Sequence, residues 1–286
     1  MPLFRWAIEP IKNMNLTSKT IHFRKAIRGS FTLWDLIAIL VVFIFAGAWY
    51  AVIHTGERGR IACCASNLRI LGEATQSFAD EHQSELPAAI INLGKTQIWD
   101  MALIPYLCPN LTNAKSIYAK NQLLSKAQHF FLCPSDTINR KSPRSYAMAG
   151  RDMSYGWPPT SGDDTGLGIL WDNRTVSILH DEDLITKADK DFDLLPRIKQ
   201  SLLLKPAGTL LITELVVPDN ILAQPNSARV LAVNDQQTGM DLISTHFHSG
   251  KFNYLMADGH VELLAADQTD GSDGKSHTIW TVNQNN

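Results

Sequence analysis

The chain has 286 residues and a formal net charge of −2, with 45% hydrophobic and 19% charged residues. That length accommodates a membrane helix plus one domain of ordinary size with a real core, and the near-neutral balance carries no global nucleic-acid footprint. The charge is uneven: residues 1–30 hold Arg5, Lys12, Lys19, Arg24, Lys25 and Arg28 against a single acid, Glu9.

Leu36–Ile53 is an apolar run of 18 residues without a charge, and counting from Phe31 gives 23 residues with Asp35 as the only charge. At about 1.5 Å per residue such a helix crosses a hydrocarbon core of about 30 Å. Core helices of that length ordinarily carry a polar face, which this one lacks. Trp49 and Tyr50 suit an interface, and the basic leader places the N-terminus in the cytoplasm and the bulk of the chain outside. The run is too long for the apolar region of a cleaved secretory signal, although Ala46-Gly47-Ala48 imitates a cleavage site.

At the junction stands Arg28-Gly29-Ser30-Phe31-Thr32-Leu33-Trp34-Asp35. An acid at a membrane-helix end is costly and implies a function. The junction resembles the prepilin N-terminal processing motif. The resemblance implies cleavage between Ser30 and Phe31 by a prepilin peptidase, methylation of the new Phe31 amine, and Asp35 as the acid that pairs with a neighbouring subunit's amine during assembly. Two departures stand out: Gly29 is one place early for the residue before the cut, and Asp35 replaces the usual Glu.

Beyond the apolar run, Ile61, Cys64, Leu68, Leu71, Thr75 and Phe78 step by three and four, an amphipathic stripe that continues the helix to Asp80-Glu81, ahead of Pro87. One helix from Phe31 to Asp80 would be about 75 Å long. The stripe is read as a face packed on the domain. Trp99–Leu107 reads as a short helix running into a Pro turn, and Phe130–Leu132 as a strand end before the Cys133-Pro134-Ser135-Asp136 turn. Residues 155–166 read as a loop. Val176–His180, Thr209–Val216 and Arg229–Val233 read as strands. Lys251–Met256 and His260–Leu264 flank Ala257-Asp258-Gly259, a hairpin signal because Gly accepts positive φ cheaply. The tail after Ala266 is polar.

Cys64-Ala65-Ser66-Asn67-Leu68-Arg69, then Trp99 and Pro105-Tyr106-Leu107, then Phe131-Leu132-Cys133-Pro134-Ser135-Asp136, and last His248 followed, after nine intervening residues, by Asp258-Gly259, occur in that order. Together with the junction they resemble the bacterial prepilin-type proteins with an H-x9-DG motif, over roughly residues 25–265. The resemblance implies an α+β fold like a type II secretion pseudopilin: a long N-terminal helix packed on an antiparallel β-sheet. The expected organisation is a basic leader over 1–30, a transmembrane helix over 31–54, an amphipathic helix over 55–83, an exported domain over 84–266 and a polar tail over 267–286.

The chemistry-bearing residues have plain structural readings beside the functional ones. His246, His248 and His260 with Asp258 are potential metal ligands, but the preferred reading has His248 hydrogen-bonding the hairpin turn and Asp258 shaping it. Asp163-Asp164 and Asp267, Asp270 and Asp273 suit calcium, which type II secretion pseudopilins hold in a C-terminal loop; their spacing does not match an EF-hand and solvated turns are preferred. His180–Asp183 reads as a charged turn. No nucleophile or dinucleotide frame is present. Among Cys63, Cys64, Cys108 and Cys133, the expected disulfide is Cys108–Cys133, with Cys64–Cys133 as the alternative.

These readings converge on a non-enzymatic structural or assembly subunit of the bacterial inner membrane. It would be single-pass, with its domain periplasmic or at the cell surface and needing no cofactor. Its partners would be the prepilin peptidase, other pilin-like subunits and the bilayer, with no nucleic acid. The alternative is a membrane-tethered domain that binds a ligand such as polysaccharide without forming filaments, motivated by Trp99, Trp157 and Trp171. An anchored enzyme using His248 and Asp258 is the third reading.

Overall fold

The computed structural model describes residues 32–109, 125–151, 166–230, 247–269 and 279–280, with the backbone alone for 51–54. Gly29, Ser30 and Phe31, and with them the processing motif, lie outside the described residues, as do Trp157, Asp163, Asp164, His246, Asp270 and Asp273. The chain divides into two compact units, Met1–Ala51 and Val52–Asn286.

Helix α1 runs Leu33–Glu81. Its start is a reciprocal capping box. The Asp35 carboxylate accepts the Thr32 backbone N–H and the Thr32 hydroxyl, both at 2.8 Å, while the Asp35 N–H reaches the Thr32 hydroxyl oxygen at 3.3 Å. The helix is long and apolar enough to cross a membrane. In the first unit its large apolar side chains, Leu36, Phe43, Phe45 and Trp49 among them, are exposed.

In the second unit the same helix changes character. Cys64, Leu68, Leu71, Thr75 and Phe78 are buried and Ile61 is half-buried, while Arg69, Glu73 and Gln76 lie outside. The spacing in the sequence had marked this face. Gly72 lies on it, and a Cβ there would stand 3.0 Å from a Leu255 methyl, so the helix backbone approaches the sheet closely.

The sheet beneath has five strands in the order β6-β3-β5-β7-β8: β3 Tyr146–Ala149, β5 Leu210–Glu214, β6 Arg229–Val230, β7 Lys251–Met256 and β8 Val261–Ala265. All neighbours are antiparallel except β3 and β6. Every residue of β3 and β5 is buried, which fits their continuous apolar runs. The expected hairpin joins β7 to β8: the Gly259 N–H donates to the Met256 carbonyl at 2.9 Å, and Gly259 takes φ +93°. A smaller sheet, β2-β1-β4, is built from β1 Ile90–Leu93, β2 Lys95–Ile98 and β4 Leu170–Asp172. The architecture is thus α+β with mixed sheets.

Three local readings need correction. Val176–His180 is not a strand; it falls in helix α3, Asn173–Leu179, because Asp172 caps the first turn by accepting the Thr175 N–H at 2.7 Å. Phe130 and Phe131 belong to a 3₁₀ turn, Gln128–Phe131. Pro105 does not end α2, Trp99–Leu107, but lies within its last turn. Helix α4, Asp183–Lys190, follows α3 through the expected charged turn, where His180 takes φ 52°.

Gly168 bridges to Gly150 and donates its N–H to the Ala149 carbonyl at 2.6 Å. A Cβ at Gly168 would lie 2.8 Å from the Ala89 methyl and 2.9 Å from the Ala149 carbonyl oxygen. Gly168→Ala is expected to destabilise the fold by about 1–3 kcal/mol. Denaturant unfolding of the full chain in micelles checks it, and an unchanged midpoint would mean that the bridge yields at no cost.

Candidate functional site

The most densely functional place in the second unit is where α1, the Cys133 turn, β5 and the start of β7 meet. Helix α1 contributes Glu57 and Cys64, one on its exposed approach and one on its packed face. The Cys133 turn is made by Pro134, with the Asp136 N–H donating to the Cys133 carbonyl at 2.9 Å. Asn67 ties the helix to the residues before this turn, its amide donating to the His129 carbonyl at 3.2 Å and the Leu132 carbonyl at 3.0 Å. Ser145 fixes the turn from the other side: its hydroxyl accepts the Cys133 N–H at 3.0 Å and donates to Asp136 at 2.6 Å. Arg140 closes the arrangement on the same Asp136 carboxylate.

Cys133 therefore stands against the packed face of α1 and is disulfide-bonded to Cys64, with Cα atoms 5.2 Å apart. This corrects the expected Cys108–Cys133 pairing. Cys108, at the end of α2, is a half-buried free thiol, and Cys63 is an exposed one. The cause is helical geometry: Cys64 shares a face with Leu68 and Leu71, which pack inward, whereas Cys63 points away.

His248 is fully buried next to this bridge. Its Nε2 lies 3.0 Å from Glu214 Oε1 and 3.3 Å from Cys133 Sγ, and its Nδ1 lies 3.1 Å from Glu57 Oε1. Its backbone N–H also donates to Glu57 at 3.0 Å. Ser135 Oγ stands 3.4 Å from Glu57 and 3.5 Å from His248 Nδ1. Glu214 is fully buried in β5, and Asn253 of β7 donates to it from its backbone N–H at 2.8 Å and its amide at 3.1 Å. The backbone at His248 and Ser249 is left-handed, φ 44° and 58°. Such conformations are costly without glycine and persist where the surroundings over-determine them.

The expectation that His248 hydrogen-bonds the hairpin turn is corrected by this geometry: His248 precedes β7 and Asp258 follows it, so the strand separates them. Asp258 does shape the turn, accepting the His260 N–H at 3.1 Å and facing His260 Nδ1 at 2.6 Å. His248 and His260 consequently do not converge. Trp99 and Trp171 are fully buried, and their indole N–H groups donate to the Ala228 and Pro196 carbonyls at 2.8 and 3.1 Å; they are core residues and offer no stacking platform. Glu57, Glu214 and Asn253 were not singled out in the sequence, although Glu214 interrupts the apolar run Leu210–Val217 just as Asp35 interrupts its own.

The electrostatics follow from these contacts. Burial pushes the His248 imidazole down, but the hydrogen bonds and charges of Glu214 and then Glu57 outweigh it, and the net shift is upward. Burial likewise pushes the Glu57 carboxyl up, yet His248 and Arg60 hold it below its ordinary range. The arrangement clamps the His248 imidazole between the Glu214 and Glu57 side chains, which favours its imidazolium form. No family model, curated protein or solved structure matches this chain.

Two outcomes are expected. In the oxidised chain, the raised His248 contributes stability that is complete below its ordinary value of 6.5 and is lost as pH rises through the folded-state value. The lowered Glu57 contributes stability complete above 4.5 and lost as pH falls through its folded-state value. The thermal midpoint should therefore be flat between these limits and decline on both sides of them, and His248→Gln should flatten the alkaline decline; an equally steep alkaline decline in that variant would refute the clamp. Separately, peptide mapping without reductant should recover Cys64 linked to Cys133, with Cys108 alkylated. Reduction of that bridge, whose partners are 69 residues apart, should cost about 4 kcal/mol.

Proposed function

We propose that this protein is a membrane-anchored, pseudopilin-like structural subunit whose apolar helix segment packs with the corresponding segments of other subunits in a secretion or pilus-like apparatus. The observation that carries the reading is helix α1. Within Leu33–Glu81 the chain joins a segment long and apolar enough to cross a bilayer to a segment that is buried along one face in the second unit. The basic residues before it favour an N-terminus in the cytoplasm and a domain on the far side of the inner membrane. The intrachain disulfide suits an oxidising compartment. The order of the junction, the Cys133 turn and the His248…Asp258-Gly259 segment supports a prepilin-type chain, with cleavage before Phe31 as the maturation step.

Burial of Trp99 and Trp171 removes two of the three aromatics that motivated polysaccharide binding, and the separation of His248 from Asp258 removes the paired catalytic hairpin. The third aromatic, Trp157, lies outside the described residues.

Asp35 has two separable properties, its charge and its cap to Thr32. Asp35→Asn keeps an oxygen that can accept the Thr32 N–H but removes the charge, whereas Asp35→Ala removes both. If the charge pairs with a neighbouring subunit's amine, both variants should insert into the membrane and both should lose co-assembly, read by cross-linking in the host membrane. Retained assembly in both variants would sink the reading; retention in Asp35→Asn alone would reduce Asp35 to a helix cap. Intact mass and N-terminal sequencing of the mature chain test the cleavage step independently.

A further inference from the structure

Cys64, Cys133, Glu214 and His248 each place one ligand-type atom within 4.8 Å of every other, and all four residues are buried. They come from α1, the Cys133 turn, β5 and the segment before β7, so four separate parts of the second unit converge on this point. The site is not the imidazolium clamp in another guise, because it draws on both sulfurs. From this cluster we propose that the dithiol form of the chain binds one zinc ion through Cys64, Cys133, Glu214 and His248, and that this state and the disulfide are mutually exclusive states of one site.

The donor set is two sulfurs, one imidazole nitrogen and one carboxylate oxygen, which suits tetrahedral zinc and leaves no open position. Metal–ligand bonds of about 2.0–2.3 Å put the donors of a tetrahedron roughly 3.3–3.8 Å apart; His248 Nε2 already stands 3.3 Å from Cys133 Sγ and 3.0 Å from Glu214 Oε1, while the two sulfurs, joined in the disulfide, must separate on reduction. The supporting shell is also in place. A zinc-bound imidazole usually donates its second ring N–H to a carboxylate. With Nε2 turned toward the sulfurs and Glu214, His248 Nδ1 faces Glu57 at 3.1 Å. The two Asn253 donors hold the Glu214 carboxylate. The left-handed backbone at His248 and Ser249 is the local strain by which the ring is held at this point.

The proton and electron balance separates the states. Zinc binding releases one proton from each thiol and the Nε2 proton of the imidazolium. Oxidation instead removes two protons and two electrons from the thiols, delivered to a disulfide-bearing oxidant, and forms the Sγ–Sγ bond. A disulfide sulfur is no longer a thiolate, so the oxidised chain keeps only Glu214 and His248 as donors. The site is enclosed and closed in coordination, so the ion would be structural, holding the same elements together that the disulfide holds.

The test uses the full chain in detergent micelles carrying Cys63→Ser and Cys108→Ser, so that only the two buried cysteines remain. It is reduced with a phosphine and titrated with Co²⁺, followed by displacement with Zn²⁺. The expected result is one equivalent of cobalt with a thiolate charge-transfer band and intense visible bands of tetrahedral type. The oxidised chain should bind at least ~100-fold more weakly. Cys64→Ser, Cys133→Ser and His248→Asn should each abolish the spectrum, and Glu57→Gln, which spares all four ligands, should weaken binding ~10-fold or more while keeping it. A reduced chain that retains its far-UV circular dichroism and gives no charge-transfer band overturns the proposal. So does a band unchanged by His248→Asn and Glu214→Gln, or a reduced chain that loses its fold and does not regain it with zinc.

Discussion

Glu214 is a carboxylate in the middle strand of the larger sheet with no exposure to solvent. A buried carboxylate without partners costs several kcal/mol, and the burial is tolerated only when a counter-charge and hydrogen bonds replace its water. Among its partners are His248 on one side and Asn253 on the other. His248 in turn needs Glu57, because an imidazolium shared with one carboxylate still leaves a donor unsatisfied at Nδ1. One buried charge in β5 thereby dictates the position of α1 residues near Glu57 and the strained turn that starts β7. Removing His248 would leave Glu214 without its counter-charge, which is more damaging than never having buried the group.

The disulfide and the ionic cluster act on the same elements in different ways. The Cys64–Cys133 bond limits the unfolded chain by closing a long loop, while Asn67 and Ser145 set the local geometry that makes the bond feasible. A second buried pair, Arg144 with Asp100, repeats the logic elsewhere. Both side chains have no exposure, and Asn220 accepts from Arg144 Nε at 2.6 Å while Asp100 accepts the Ala223 N–H at 3.1 Å. Turns that carry no regular structure are thus fixed by charged groups inside the fold.

What the sequence disclosed followed from short-range regularities. The stripe from Ile61 to Phe78 has helical period, and the Asp258-Gly259 turn has a local backbone requirement, so both were legible. Val176–His180 was misread because its β-branched and apolar residues resemble a strand, and the decisive contact, Asp172 with Thr175, lies at its edge. The pairing of Cys133 was not legible because it depends on which face of α1 packs against a turn far along the chain. His248 was located as important but given the wrong neighbours, since spacing relates it to Asp258 whereas the fold relates it to Glu57 and Glu214. The larger sheet's β3 and the whole of the smaller sheet had strands too short to announce themselves among turn-forming residues.

Two acids interrupt apolar runs in this chain, and they resolve the same problem at different range. Asp35 obtains its donors from Thr32, three residues away, so its cap exists within a single turn of helix. Glu214 obtains its donors from His248 and Asn253, over thirty residues further on, and exists only in the assembled fold. Thr32 supplies Asp35 with hydrogen bonds and no positive charge, so the charge balance of this acid is not closed among the described residues. A buried acid with its own imidazolium has already closed that balance internally. The difference assigns the two positions to different tasks: Glu214 fixes the interior of the second unit, and Asp35 is the acid whose counter-charge the described residues around it do not supply.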